Sequence, residues 1–291
     1  MSDTYHAPVD PDAPNNPHSN ALRLVGGNHR VLEVGCWSGH VTEHLAAAGN
    51  SVVGVELDPD AAELARRFAE RVHVVDLDTT TLSDVEDATF DVILLGDVLE
   101  HFRDPAAVLD DLVTLLEPDG RLVVSVPHVA HIDVRLHLLE GRWDYQHDGL
   151  LDRTHLRWFT RAGLRELLAG AGFVAVTADP VVHELGASRL PLTEGLHGSA
   201  VRRFVEADPD AKVYQFVVEA VRADRVGDRD DALAPIDVDW PDLDAELAAH
   251  DAAREEELTA LRNEVDAWRR SRLVRWTDPI RRALAAVRGR R

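Results

Sequence analysis

From Arg30 to Val126 the chain alternates short, β-branched apolar runs with stretches in which Leu, Ala and Val recur three and four residues apart. The runs at 30–35, 51–56, 71–75, 90–95 and 121–126 read as strands. Between them, 39–48, 59–69 and 104–117 have helical spacing, and Asp104-Pro105 supplies an N-cap followed by proline at the first helical position. Such alternation predicts βα units feeding a parallel sheet. A segment rich in His, Asp and aromatics, 127–159, interrupts the pattern and is expected to lie over the sheet as a lid. The helical spacing resumes at Arg161–Ala171. Phe173–Ala178 and Val213–Val221 then read as two last strands, with an irregular excursion over 180–210 between them. The expectation is an α/β, doubly wound, mostly parallel seven-stranded sheet.

The flanks differ from this body. Residues 1–20 hold Pro8, Pro11, Pro14 and Pro17 among Asp and Asn, a composition that predicts an extended arm ahead of a main domain spanning 21–222. Residues 223–241 are acidic and broken by prolines, as a linker would be. In 242–291, Leu258, Leu261, Val265 and Trp268 fall three and four apart, which predicts an amphipathic or coiled-coil-like helical appendage. The last 23 residues, Arg269–Arg291, carry nine arginines against one acid, Asp278.

Charge and composition narrow the function. A formal net charge of -21 disfavours a body that wraps nucleic acid. Apolar residues are spread without a bilayer-length run, no signal-like start is present, and the lone Cys36 cannot form an internal disulfide, so a cytoplasmic setting is expected. The basic tail interleaves Leu273, Val274, Trp276, Ile280, Leu284 and Val287 with arginines. Two readings stay open for it: peripheral contact with an anionic inner membrane face, or a docking or self-associating helix whose arginines offset the acidic body.

Candidate chemistry gathers at the strand ends. Val31-Leu32-Glu33-Val34-Gly35-Cys36-Trp37-Ser38-Gly39-His40 passes from a strand through a glycine-bearing turn into a helix, and Gly35 and Gly39 suit positive φ or close approach of a ligand. About twenty residues on, the strand Val52–Glu56 ends in an acid, and a carboxylate there can accept both hydroxyls of a ribose diol. The third strand ends in Val75-Asp76-Leu77, and the fourth runs into Gly96-Asp97-Val98-Leu99-Glu100-His101.

In this register the four segments resemble the Rossmann-like class I methyltransferases that use S-adenosylmethionine (SAM). Trp37 stands where most relatives have glycine. The resemblance implies Glu33 near the amino group of the cofactor's methionine part and Asp76 beside the adenine amino group, with Leu77 against the ring. The expected cofactor set is Glu33, Gly35, Cys36, Gly39, Glu56, Leu57, Asp76, Leu77, Asp97 and Val98. A closer resemblance, over roughly 12–221, rests on Asp12-Ala13-Pro14-Asn15-Asn16-Pro17-His18, Ser125–His131 and Gly149–Thr160. It is to a bacterial subgroup that accompanies glycosyltransferases in surface-polysaccharide gene sets, and it implies O-methylation of a sugar, glycan or similar small polar acceptor, with a glycosyltransferase as a potential partner.

Methyl transfer to a hydroxyl calls for a base, and His101, His131 and His155 are the candidates, with Tyr145 and Arg157 as acceptor-binding groups. The cluster of His128, His131, His137, His147 and His155 with Asp144, Asp148 and Asp152 matches no compact zinc spacing, so no metal is expected. The rival readings are N- or C-methylation of a natural-product intermediate, a SAM-binding scaffold without catalysis, and a dinucleotide oxidoreductase.

Overall fold

The computed structural model describes residues 9–191, 200–238 and 242–270. Residues 1–8 of the arm and 271–291 of the basic tail lie outside the described residues. The chain divides into two compact units, Met1–Glu194 with Val205–Asp239, and Gly195–Phe204 with Trp240–Arg291.

In the first unit the strands are β1 (Arg30–Val34), β2 (Ser51–Glu56), β3 (Arg71–Val74), β4 (Phe90–Gly96), β5 (Leu116–Pro127), β6 (Phe173–Ala178), β7 (Val181–Val182) and β8 (Val213–Arg222). They form one sheet in the order β3-β2-β1-β4-β5-β8-β6, with β7 paired to β8. The first five run parallel, and β8 is antiparallel to β5, β6 and β7. All seven expected strands are present. The eighth, β7, is only two residues long and too short to leave a periodic signal. β5 begins five residues early because Leu116 pairs with Phe90 before a bulge returns Arg121 to register opposite Val92.

The helices of this unit are α1 (Pro17–Val25), α2 (His40–Ala47), α3 (Pro59–Ala65), α4 (Pro105–Leu112), α5 (Ile132–Leu139) and α6 (Arg161–Gly170). Strand side chains alternate between two buried faces. Leu32, Val53, Ile93, Leu122 and Val124 meet Leu109 and Leu112 of α4 and Leu164 and Leu168 of α6. Val31, Val52, Val92, Leu94 and Val123 meet Ala21 and Val25 of α1 and Leu45 of α2. Burial on both faces is why the parallel strands are apolar throughout.

Two expected boundaries shift. The described part of the expected arm, from Val9, runs through two turns to Asn16, whose side chain caps α1 by accepting from the amides of His18 (3.0 Å) and Ser19 (3.3 Å). Pro17 then opens the helix, since its missing N–H would have no partner there anyway. Asn15, at φ 54°, exchanges two 2.7 Å hydrogen bonds with the main chain of Val182, tying the lead-in to β7. The expected linker is docked along its first half. Leu233 is buried in the core, the Ala232 amide donates to Ala175 of β6 (2.8 Å), and Arg165 of α6 pairs with Asp231 (2.6 Å).

The insertion 127–159 contains α5 and a small apolar cluster in which Val134, Leu150 and Leu151 meet Leu190. Buried Asp133 ties it to the following excursion by accepting from the amides of Gly186 (2.7 Å) and Ser188 (2.9 Å) and from the Ser188 hydroxyl (2.6 Å). The helix α7 (Ala200–Glu206) follows in sequence, and the second unit carries the 28-residue helix α8 (Leu243–Arg270).

Candidate active site

The sheet order places β1 beside β4, so chain connections leave in opposite directions from the carboxyl ends of these two strands. Ligands of open α/β sheets bind at such a switch point. Glu33 lies one residue before the end of β1, 4 % exposed, and accepts a 2.6 Å hydrogen bond from Thr42 in the first turn of α2. Burial pushes its carboxyl up to about 8, the Thr42 hydroxyl working against this and the nearby Glu56 charge adding to it.

The turn after β1 has Gly35 at φ 75°, Trp37 at 46° and Gly39 at 88°. A Cβ on Gly39 would lie 2.9 Å from Ala65 Cα, so glycine here lets α2 start against α3. On Gly35 a Cβ would lie 3.1 Å from Val98 Cγ2, where the β4 loop crosses the turn. Trp37 adopts the left-handed conformation without being glycine, and its amide donates to Glu56 Oε2 (2.9 Å). That bond helps offset the cost of the backbone conformation.

Glu56 Oε1 accepts from the amides of Leu57 (2.8 Å) and Asp58 (2.9 Å). Three backbone donors thus hold a carboxylate with about four acceptor positions. It is aimed rather than free, and gripping both hydroxyls of a diol requires one amide to yield. Leu57 beside it is 65 % exposed, an apolar surface at the rim of the loop. Asp76 is exposed and accepts from the Asp78 amide (3.0 Å) in a tight turn, while Leu77 is half-buried against the core.

Cys36 departs from expectation. Its side chain is buried with Ala62, Ala65 and Val72, and a Cβ on Gly54 would meet its Sγ at 2.7 Å. Burial raises its thiol pKa, with the Glu33 and Glu56 charges adding to the effect. The thiol faces the interior, so Cys36 can offer a ligand only its main chain.

At the end of β4, Asp97 adopts φ 54°, and its carboxylate accepts from Ser125 Oγ (2.9 Å) and from Gln215 Nε2. Glu100, 1 % exposed, follows. Its Oε2 has no hydrogen-bond partner among the described residues. Burial foremost, with the Asp97 and Asp152 charges, pushes the Glu100 carboxyl well above the usual carboxylate range. The Glu100 carbonyl receives the amides of Leu156 (2.8 Å) and Arg157 (3.0 Å), which fixes the end of the lid against the β4 loop.

This contact brings His155 to His101, their ring centroids 5.0 Å apart and 73° between planes. His101 Nδ1 lies 3.3 Å from the Thr154 carbonyl, which can only accept, so Nδ1 carries the proton and Nε2 keeps its lone pair. His155 is 9 % exposed, and burial followed by the neighbouring His101 lowers its pKa, keeping it neutral. Ligating atoms of Glu100, His101 and His155 lie within 4.8 Å of one another, which is the one such trio among the described residues.

The structure removes His131 from the candidate bases. It is fully buried, its Nδ1 accepts from the Asp133 amide (3.2 Å) as the N-cap of α5, and its Nε2 donates to the His183 carbonyl (3.1 Å). Neither nitrogen is left for an acceptor. The other lid histidines disperse as well: His128 Nδ1 donates to Val213 and His137 Nδ1 to Pro191, both main-chain carbonyls. Tyr145, 53 % exposed, stands edge-on to Trp143 at 6.5 Å, which stands edge-on to Trp158 at 5.5 Å. Arg157 donates to the carbonyls of Leu156 (3.1 Å) and Arg103.

Sequence reasoning gives no role to Thr42, Gln215 or Glu100, since nothing local to Glu100 marks its burial and the partners of Thr42 and Gln215 lie on other elements of the fold.

A family of methyltransferase domains has a model that matches residues 11–178, more than half of the chain and all of the loops just described. The chain belongs to this family. Methyltransferases of this build draw on SAM. Among curated relatives, this methyltransferase is similar to a ubiquinone biosynthesis O-methyltransferase of Actinobacillus pleuropneumoniae, 38 % identical over 104 residues covering 33 % of this chain and 44 % of that protein. A protein of the same name from Psychrobacter arcticus is 28 % identical over 165 residues, 54 % of this chain and 63 % of that protein. The chain thus spans about half the length of the curated relatives it matches. Solved structures similar to it include the 1,6-didemethyltoxoflavin-N1-methyltransferase of Burkholderia thailandensis, at 24 % identity, TM-score 0.45, covering 71 % of this chain and 76 % of that one. A possible histamine N-methyltransferase of Thermotoga maritima shares 20 % identity at TM-score 0.48, covering 70 % of this chain and 87 % of that one. Among the described residues, no helix is long and apolar enough to cross a membrane.

Proposed function

We propose that this methyltransferase moves a methyl group from SAM to a hydroxyl oxygen, with His101 as the base. The observation that carries the reading is the His101 ring, held by Thr154 with Nε2 available, at the end of the strand next to the one bearing Glu33. The residues fit the cofactor. Glu33 is placed for the ammonium of its methionine part, Glu56 for the ribose, Leu57 for the adenine face, and the absent side chain of Gly35 keeps the loop open.

SAM, when bound, supplies an electrophilic methyl group on sulfur. The chain has to align the acceptor oxygen behind that carbon, keep water away and take the proton. With SAM held at Glu33 and Glu56, His101 Nε2 would take the proton of the acceptor hydroxyl. Burial lowers the pKa of His155 and raises that of the Glu100 carboxyl, which disfavours charge on both groups beside His101.

The acceptor we infer is a polar ring carrying hydroxyls. The half-exposed Tyr145 and Trp158 on the lid give such a ring flat apolar surface, and the donors of Arg157 can meet its oxygens. A sugar is one such ring and a phenol another. Chemistry favours the phenol, since a phenolic proton lies far closer to the range of an imidazole than an alcohol's does. Incubation with isotopically labelled methyl donor and two acceptor panels, nucleotide sugars with glycans and catechols with other phenols, tests the reading. Label on oxygen from either panel identifies the acceptor class. Label only on nitrogen or carbon, or SAM binding without transfer to any panel, refutes it.

A further inference from the structure

The second unit presents an apolar stripe that is exposed among the described residues. On α8, Leu258, Leu261 and Val265 are 45 %, 49 % and 46 % exposed, and every described side chain from 251 to 267 is exposed. We propose that α8 pairs with α8 of a second copy of this chain as a parallel, in-register two-stranded coiled coil.

The spacing sets the register. Leu258 and Val265 take the a positions and Leu261 the d position of a heptad, which Trp268 continues in sequence as the next d. Glu257 and Glu264 then occupy g, while Arg262 and, in sequence, Arg269 occupy e. In a parallel pair each g residue meets the e residue five positions on in the partner, so Glu257 faces Arg262 and Glu264 faces Arg269 across both sides of the seam. In an antiparallel pair g meets g, which sets Glu257 against Glu264. The charges therefore select the parallel arrangement and a second copy, because the pattern is complementary to itself. The seam starts at Leu258, since the preceding a and d positions are Asp251 and Arg254. So short a seam gives weak, concentration-dependent dimers and not a permanent assembly.

The test uses the full chain by analytical ultracentrifugation over a concentration series. Wild type should reach dimer at high concentration. E257R alone and R262E alone should each weaken dimerisation on the order of tenfold, because each sets like charges across both sides of the seam. An equimolar mixture of the two should recover association, since its cross-pairs are again opposite in charge. L261E should abolish dimers. A wild-type monomer at all concentrations, or dimers indifferent to the charge variants, overturns the proposal; association that the mixture fails to restore rules out the parallel register. All three substitutions lie on an exposed helix, so folding of the methyltransferase unit, followed by its own melting transition, serves as the control.

Discussion

Replacing Glu33 by Gln should stabilise the cofactor-free protein while weakening cofactor binding. The Glu33 carboxyl is fully buried, and its pKa of about 8 is set chiefly by lost hydration against an ordinary value near 4.5. Between those values the folded chain keeps a proton that the unfolded chain has released, so stability falls as pH rises from about 4.5 to 8 and the loss is complete above 8. Worked from that displacement, the penalty is on the order of 3 kcal/mol at pH 7 and 5 kcal/mol above pH 8. Gln keeps an oxygen to accept from Thr42 and carries no proton equilibrium. Urea unfolding of both proteins from pH 5 to 9 at constant ionic strength should show Glu33→Gln gaining on wild type with rising pH. Titrating groups remote from Glu33 cancel in the difference. S-adenosylhomocysteine binding to the variant, measured by calorimetry, should be about tenfold to a hundredfold weaker for loss of a charged hydrogen bond. A stability difference that does not change with pH would refute the burial argument, and unchanged binding would refute the role assigned to Glu33.

Three further outcomes are expected. His101→Asn, which leaves an amide to reach Thr154 but no imidazole base, should lower kcat by about a hundredfold to ten-thousandfold with cofactor affinity retained; kcat within a few-fold of wild type would exclude the base. Gly39→Ala should cost about 1–3 kcal/mol of stability in denaturant titration, because the new methyl meets Ala65 Cα at 2.9 Å on a residue at φ 88°. A chelator should leave turnover unchanged; loss restored by a divalent cation would instead assign Glu100, His101 and His155 to that cation.

The halves of the site differ in how far the sequence reveals them. Glu33, Gly35, Glu56 and Asp97 are placed by strand ends, and a strand end is a local event: an apolar run stops and an acid or glycine follows. The same holds for five parallel strands, because burial on both faces writes itself as consecutive apolar residues. Where the sequence reading failed, the deciding contact is distant. Residues 223–234 are rich in aspartate and read as linker, yet one leucine, Leu233, and the Arg165–Asp231 pair hold them to the sheet. His131 looks in sequence like any other lid histidine. Only the fold shows its nitrogens spent on the amide of Asp133 and the carbonyl of His183, 52 residues away.

The acceptor side depends most on such long-range contacts. Asp97 is held in its left-handed conformation by Ser125 from the neighbouring strand and by Gln215, 118 residues on. Glu100, three residues on, is buried, and lost hydration foremost pushes its carboxyl well above the usual carboxylate range, so two acids close in sequence sit in different surroundings. The main-chain bonds from Leu156 and Arg157 to the Glu100 carbonyl fasten the end of the insertion to this loop, so the surroundings of His101 are set by contacts distant in sequence, which no local pattern of residues records.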